Sequence, residues 1–343
     1  MAHIFRTQKK IGTACLFLTA VLLCSWFAGC SGEVYDPSGE QLTLGTGETG
    51  TAASTGGLLE IPDGDPFADS EQVLRVDFLN TGDSDAILLR VHGAVSDRVE
   101  DQVSDQVVLV DTGESDDYSL ISSRLAENGV TEIHHLILTH FDNDHIGSAV
   151  QILQNFPVGA VYMPDYVRDS VLYRRLIDML GLLPGTVVHR VTEEMEIELP
   201  GGQLRLDPTE LYEGGIVLGS DAGHGPEENN FSLIASMRFG EIDLLLPGDA
   251  EQDRLVEFME GLDGAISYDL IKIPHHGAYD KALGDLLRGS AGLRYCVVHA
   301  GAASRVEAAL VTAIRSAGAA AYFTYSGTVR FSTDGVNMVV VQE

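Results

Sequence analysis

The chain has 343 residues, with 21 Lys and Arg against 51 Asp and Glu and a formal charge of −30. Its length allows one large domain or two small ones, and 45% hydrophobic residues supply a core, which excludes disorder throughout. A field of this sign repels polyanions and argues against tight, non-specific nucleic-acid binding.

At the N-terminus Arg6, Lys9 and Lys10 precede an apolar stretch from Ile11 to Ala28, and small residues lead into Cys30. This reads as a secretory signal over residues 1–30 ending in a lipobox-like Cys30. Lipidation there would tether the rest of the chain to a bacterial membrane outside the cytoplasm. An uncleaved transmembrane anchor is the other reading of an apolar run this long. Cleavage would remove three basic residues, leaving 18 against 51 acids, or −33. Cys15 and Cys24 lie in the same segment, so Cys296 is the one thiol left, and neither a disulfide nor a thiolate metal cluster is expected. Residues 31–72 are rich in Gly, Ser, Thr and acids, with Gly45-Thr46-Gly47-Glu48-Thr49-Gly50 at the centre, and read as a flexible linker.

From Val73 onward the pattern changes. Apolar and alternating runs predict strands over Val73–Leu79, Ala86–Val91, Val107–Val110, Ile133–Leu138, Ala160–Met163, Leu204–Leu206, Phe231–Phe239, Ile242–Leu246, Leu270–Ile273, Tyr295–Val298, Ala320–Thr324, Thr328–Phe331 and Asn337–Val341. Helical spacing marks Ser119–Glu127, Ile146–Asn155, Val167–Leu180, Glu251–Glu260, Lys281–Leu287 and Val306–Ser316. The acidic stretch from Asp97 to Asp105 reads as a hairpin tip. Strands precede helices in repeated units with hairpins at both ends, so residues 73–343 are expected to form an α/β layered domain with mixed sheets.

The densest chemistry lies in Thr139-His140-Phe141-Asp142-Asn143-Asp144-His145-Ile146-Gly147. Two histidines and two carboxylates fall within six residues, on a loop between a buried strand and a helix. Such a loop can aim several ligands at one divalent cation. A helix cap would explain Asp142 and Asp144 but not the histidines. Further donors stand at later strand ends, Asp249 after Leu244-Leu245-Leu246 and His275-His276 after Leu270–Ile273, where α/β folds form their sites. Lys272 alternates with Ile271 and Ile273 and is expected to face solvent, with contact to a substrate anion as a second reading. His92, His134, His135 and His189 read as packing residues.

This ordered series resembles the metallo-β-lactamase fold, and within it the extracytoplasmic hydrolase domain of ComEC-type competence proteins. The likeness runs from about Val73 to the C-terminus. It includes Asp77-Phe78-Leu79-Asn80-Thr81-Gly82-Asp83-Ser84-Asp85, Leu109-Val110-Asp111-Thr112-Gly113, the histidine–aspartate motif, Asn229-Asn230-Phe231-Ser232, Gly248-Asp249, Pro274-His275-His276-Gly277 and Tyr322–Thr328. The resemblance implies an αββα sandwich of two mixed β-sheets flanked by helices, holding two divalent metal ions, zinc or manganese. On that pattern His140 and Asp142 hold the first metal, Asp144 and His145 the second, and Asp249 bridges them. His275 completes the second site, with His276 as the alternative. Asp144 and Asp249 would be the catalytic carboxylates, Asp144 orienting a metal-activated water. Asp111 would accept a hydrogen bond from a ligating histidine or simply make a turn. Where the wider fold supplies a third histidine, this chain reads Gly223-His224-Gly225, then Asn229-Asn230, so Asn229 or Asn230 would ligate or hold a water. His224 reads as an exposed loop residue. After Tyr295–Val298 stands His299-Ala300-Gly301 rather than a Gly-His-Pro-like element.

The sequence thus reads as a lipid-anchored dinuclear metal hydrolase of phosphodiesters, whether small molecules or nucleic acid. Asp142 in the place of a lactamase histidine argues against lactamase activity. Hydrolysis of another ester or amide, and a non-catalytic binding module that retains the fold, are the alternatives.

Overall fold

A computed structural model describes residues 66–94, 103–212, 214–218 and 228–343. The signal segment with Cys30, the linker through residue 65, residues 97–102 of the expected hairpin tip and His224 lie outside the described residues, while residues 103–105 of that tip are strand. The folded part begins before the expected boundary at Val73, because Phe67 is buried against Val73 and Val339.

In chain order the strands are β1 (Val73–Phe78), β2 (Ile87–Ala94), β3 (Val103–Val110), β4 (Ile133–Ile137), β5 (Val158–Pro164), β6 (Tyr166–Arg168), β7 (Val187–Val191), β8 (Met195–Leu199), β9 (Gly202–Asp207), β10 (Ile216–Leu218), β11 (Ile234–Phe239), β12 (Ile242–Leu246), β13 (Leu270–Ile273), β14 (Tyr295–Val298), β15 (Ala320–Phe323), β16 (Val329–Thr333) and β17 (Met338–Gln342). The helices are α1 (Tyr118–Glu127), α2 (Asn143–Ile146), α3 (Ala149–Asn155), α4 (Val171–Gly181), α5 (Gln252–Gly261), α6 (Lys281–Gly289) and α7 (Ala308–Ser316).

One sheet has the order β17-β16-β1-β2-β3-β4-β5-β7, the other β15-β14-β13-β12-β11-β9-β8, and β6 and β10 form a small parallel pair. Parallel pairing joins β3, β4, β5 and β7 in the first sheet and β12 to β15 in the second. Side-chain alternation along each strand then sorts residues into layers. On β3, Val108 and Val110 enter the core between the sheets, while Val107 and Leu109 pack under α1, α3 and α4. On β13, Leu270 faces the inter-sheet core, and Ile271 and Ile273 pack under α5, α6 and α7. The architecture is therefore an αββα sandwich of two mixed sheets.

Local sequence explains where the elements depart from expectation. The helix expected over Val167–Leu180 starts only at Val171, where Ser170 caps it by accepting from the Tyr173 N–H; the preceding residues pair as β6 with β10. The helix expected from Ile146 is broken between α2 and α3. There Gly147 lies so close to Glu114 and Ser115 that an added Cβ would sit 2.5 Å from their backbone. Strands β7 and β8 escape the apolar-run criterion because Val187, Val188, Glu196 and Glu198 are exposed. Among the described residues no helix is long and apolar enough to cross a membrane.

Parallel strands deliver their C-terminal ends to one edge. The ends of β3 and β4 in the first sheet, and of β12, β13 and β14 in the second, carry Asp111, His140–His145, Asp249, His275–His276 and His299 respectively.

Candidate metal centre

The centre is built from Asp111 outward. Its carboxylate accepts the Thr139 N–H (2.8 Å), the Thr139 hydroxyl (2.7 Å) and His145 Nδ1 (2.8 Å). These bonds fix the protons of two histidines. His145 donates from Nδ1, which leaves Nε2 with its lone pair. Because the Thr139 hydroxyl gives its hydrogen to Asp111, it accepts from His140 Nδ1 at 3.1 Å, and His140 Nε2 is freed in the same way. Both Nε2 atoms are buried and have no hydrogen-bond partner, and the two rings lie 4.0 Å apart. Orphaned buried acceptors of this kind call for a missing partner.

The second sheet brings Asp249 against this loop. Gly248 makes the approach feasible: its φ is +57°, and a Cβ there would come within 2.8 Å of Thr139 Cβ. Asp249 Oδ2 stands 3.2 Å from His145 Nε2 and 3.2 Å from His276 Nε2, and His276 Nε2 is 3.1 Å from Asp144 Oδ2. Ligand atoms of Asp144, His145, Asp249 and His276 all fall within 4.8 Å of one another. Two nitrogens and two carboxylates suit a divalent ion such as zinc or manganese, so the residues fit the expected group.

Here the expectation for His275 is corrected. His276, not His275, joins the cluster. Consecutive left-handed residues, with φ of 49° and 51°, turn the chain so that the His275 side chain leaves the cluster for Glu251 (3.1 Å). His275 contributes its backbone instead, donating its N–H to Asp249 Oδ1 at 3.1 Å. Asp111, His275 and His276 are the non-glycine residues with positive φ among the described residues, and all three stand at this centre. Strain gathered at one place is a mark of a functional site.

The other half of the centre is less complete. His140 Nε2 and Asp142 Oδ2 are 3.8 Å apart, and Arg168 reaches Asp142 at 3.3 Å. Arg168 also pairs with Glu228, which accepts from the Tyr166 hydroxyl at 2.6 Å. Neither asparagine meets these groups. Asn230 Oδ1 accepts the Arg254 N–H and so caps α5, while Asn229 donates to Glu251. Arg254, wholly buried, anchors the same segment through the Ser232 and Asp207 carbonyls.

Lys272 likewise departs from expectation. Its parity on β13 points it, with Leu270, between the sheets, and it is fully buried. Its ammonium donates to the Gly248 carbonyl (2.9 Å), to Asp249 Oδ1 (3.1 Å) and to Asp85. An ammonium has three donors, so none is left for a substrate. Asp85 was not singled out from the sequence. The signal was there, since a lysine in an apolar central strand requires a carboxylate. His299 packs on Phe78 with Nδ1 3.3 Å from Asp85 Oδ1, which is also 3.8 Å from His276 Nδ1.

Charge follows from this packing. Burial pulls His276 down, but Asp249 and Asp144 outweigh it and raise it to about 10. His145 is also lowered by burial, yet Asp249 and Asp111 carry it well above its ordinary value. Burial, with His145 beside it, takes His140 down to about 4. Asp144 is raised by burial, and its bond to His276 and the charge of His145 bring it to about 2. Burial opposes ionisation of Asp249, and His276, His145 and Lys272 hold it well below the carboxylate range.

The sequence matches the family model of the Metallo-beta-lactamase superfamily over residues 99–288, which is 190 of the 343 residues. The chain belongs to this superfamily. Its members are generally metal-dependent hydrolases and commonly bind two metal ions, which accords with the cluster described above. ComE operon protein 3 of Bacillus subtilis (strain 168) is 25% identical over 220 residues, covering 60% of this chain and 25% of that protein. The chain thus spans about a quarter of that relative's length. Among solved structures, the metallo-beta-lactamase fold protein YhfI from Bacillus subtilis is similar with a TM-score of 0.47 and 14% identity, over 77% of this chain and 100% of that one. CmlA, a diiron beta-hydroxylase from Streptomyces venezuelae, is similar with a TM-score of 0.41 and 16% identity, over 80% and 55%.

Two outcomes are expected. Replacing His276 with Ala should weaken zinc binding by more than the roughly 10–100-fold that loss of a ligand's hydrogen-bond partner costs, and His275→Ala should cost less. Competition titration with a chelating dye reads the difference, and equal losses would contradict the assignment. Since His276, raised to about 10, is protonated in the metal-free state at neutral pH, metal must displace its proton. Affinity should therefore rise with pH through neutrality and level off only near about pH 10, where His276 loses its proton unaided. Calorimetry in buffers of different ionisation enthalpy should report proton release, and buffer-independent heats would contradict it.

Proposed function

We propose that this chain is a metal-dependent hydrolase of phosphodiesters that works outside the cytoplasm, held at a membrane by lipid on Cys30. The hydrolase reading rests on one observation: ligand atoms of Asp144, His145, Asp249 and His276 converge within 4.8 Å of one another, beside a His140 whose ring lies 4.0 Å from that of His145 and whose Nε2, like that of His145, is buried without a hydrogen-bond partner. Two divalent ions so held would supply Lewis acidity and a nucleophile at neutral pH. The chain's own groups orient and hold protons around them. Asp144, with its side chain 29% exposed and ionised at neutral pH, can accept the hydrogen of an attacking water. Asp249 keeps its charge because His276 and His145 stand before it and Lys272 behind it.

Two features favour a phosphoryl centre over an amide. Arg168, 22% exposed beside Asp142, offers a planar fork matched to phosphoryl oxygens. Asp142 also stands where lactamases place a histidine, which makes this half of the centre richer in oxygen. The charge of −30 favours a small or short substrate over a long polyanion. Support for the location comes from the basic residues, apolar stretch and small residues leading to Cys30.

Purified chain supplied with zinc or manganese should hydrolyse bis-(p-nitrophenyl) phosphate. Asp144→Asn should lower kcat by roughly 10²–10⁴-fold, and His140→Ala should leave only background. A metal-loaded protein that turns over no phosphodiester would sink the proposal, and turnover of small diesters with DNA left intact would confine it to small substrates. For the anchor, a labelled fatty acid should be incorporated by the chain expressed in a bacterium and lost in Cys30→Ala. Absence of label in the unaltered chain would return the segment to a plain transmembrane anchor.

A further inference from the structure

The two oxygens of Asp249 have different surroundings. Oδ1 accepts from Lys272 Nζ at 3.1 Å and from the His275 N–H at 3.1 Å. Oδ2 faces the other way and stands 3.2 Å from each of His145 Nε2 and His276 Nε2, on the side of the candidate ligands. The last torsion of an aspartate is soft, so a carboxylate left to itself would turn and exchange its oxygens. Something must stop it, and the buried ammonium is placed to do so.

Lys272 is in turn held at three points. It donates to Asp249, to the Gly248 carbonyl one residue earlier, and to Asp85. Asp85 is itself fixed through its backbone: its N–H donates to the Asp144 carbonyl at 3.1 Å, and its carbonyl accepts from the Gly113 N–H at 2.8 Å. The series Asp144–Asp85–Lys272–Asp249 thus runs from the motif loop of one sheet to the strand end of the other through direct contacts. Asp85 and Lys272 are 1% and 0% exposed. Solvent screening is absent, so these contacts are stiff and their loss would be felt.

We infer that Lys272, locked by Asp85, is a positioning residue that ties one oxygen of Asp249 so that the other alone is presented to the metal centre. This deepens the metal-binding reading of the site and does not depend on the identity of the substrate. In this arrangement Oδ2 would be the Asp249 oxygen offered to ions held there, while Oδ1 stays with Lys272 and the His275 N–H. The lysine makes no contact with substrate.

Removing Lys272 alone would leave two buried carboxylates facing each other, so the test removes the pair. Lys272→Met combined with Asp85→Asn deletes one positive and one negative charge together. Asp85→Asn alone keeps the lysine beside Asp249 but takes away its counter-ion. Bound manganese is counted by elemental analysis, its affinity is titrated, and its electron paramagnetic resonance spectrum reports whether two ions are coupled. The expected ranking of affinity for the second ion is unaltered chain, then Asp85→Asn, then the double variant, the last weaker by roughly 10–100-fold. The spectrum should pass from a coupled pair to an isolated ion, while the metal-free double variant still unfolds cooperatively. If both variants bind two coupled ions with unchanged affinity, the inference is overturned. The same holds if Asp85→Asn lowers only the melting temperature and leaves stoichiometry and coupling intact, a result that stands even where the double variant does not fold. Failure of the unaltered chain to take up manganese or zinc would overturn both the inference and the metal-binding reading beneath it.

Discussion

Three carboxylates, those of Asp85, Asp111 and Asp249, lie almost wholly out of water at the seam between two sheets, and the surrounding structure is arranged around neutralising them. A buried carboxylate without partners is far too costly to keep ionised. Each of the three meets that constraint differently. Asp111 is satisfied by hydrogen bonds from Thr139 and His145, and the charge of Asp85 is met at Oδ2 by the ammonium of Lys272. Asp249 divides its charge between the lysine behind it and the histidines in front. Lys272 serves both Asp85 and Asp249, and His145 both Asp111 and Asp249, so the loops at this edge are fixed as a set rather than one by one.

The same constraint explains why the centre has two unequal halves. Around Asp249, His145, His276 and Asp144, donors close on one small volume. Around His140 and Asp142 the ring of donors is open, and Arg168 occupies part of the periphery. A superfamily hydrolase can use such asymmetry, since a position with fewer protein donors leaves room for what must react. The fold itself does not choose the substrate, and chemistry has to be read from the site.

Much of this was legible before any coordinates. The strand-to-helix loop with its two histidines and two aspartates stood out because apolar runs on both sides fixed its context, and strand-end donors at Asp249 and His275-His276 followed from the same logic. Layer order was legible wherever strands were long and apolar. What escaped depended on three-dimensional facts. Sequence adjacency could not separate His275 from His276, because the choice is made by two left-handed backbone conformations. The alternation of Lys272 with two isoleucines suggested a solvated face, yet β13 is covered on both sides, by the other sheet and by helices. Asn229 and Asn230 looked like ligands by position, whereas the helix following them needed a cap. Strands β7 and β8 carry too many exposed residues to show an apolar run.

Strand β1 pairs with β2 on one side and with β16 on the other, Leu74 lying opposite Thr333. This neighbour relation has a consequence for assembly. A chain emerging N-terminus first releases every candidate ligand by His276, while β1 still lacks its second neighbour. Until residues 329–333 arrive, its backbone donors and acceptors on that side have no strand to meet, and such edges invite pairing with other chains. Closing so long a loop is slow, because the entropy must be spent before the contacts are made. Shortening the chain ahead of β16 would therefore not trim a tail; it would turn β1 into an open edge of the larger sheet.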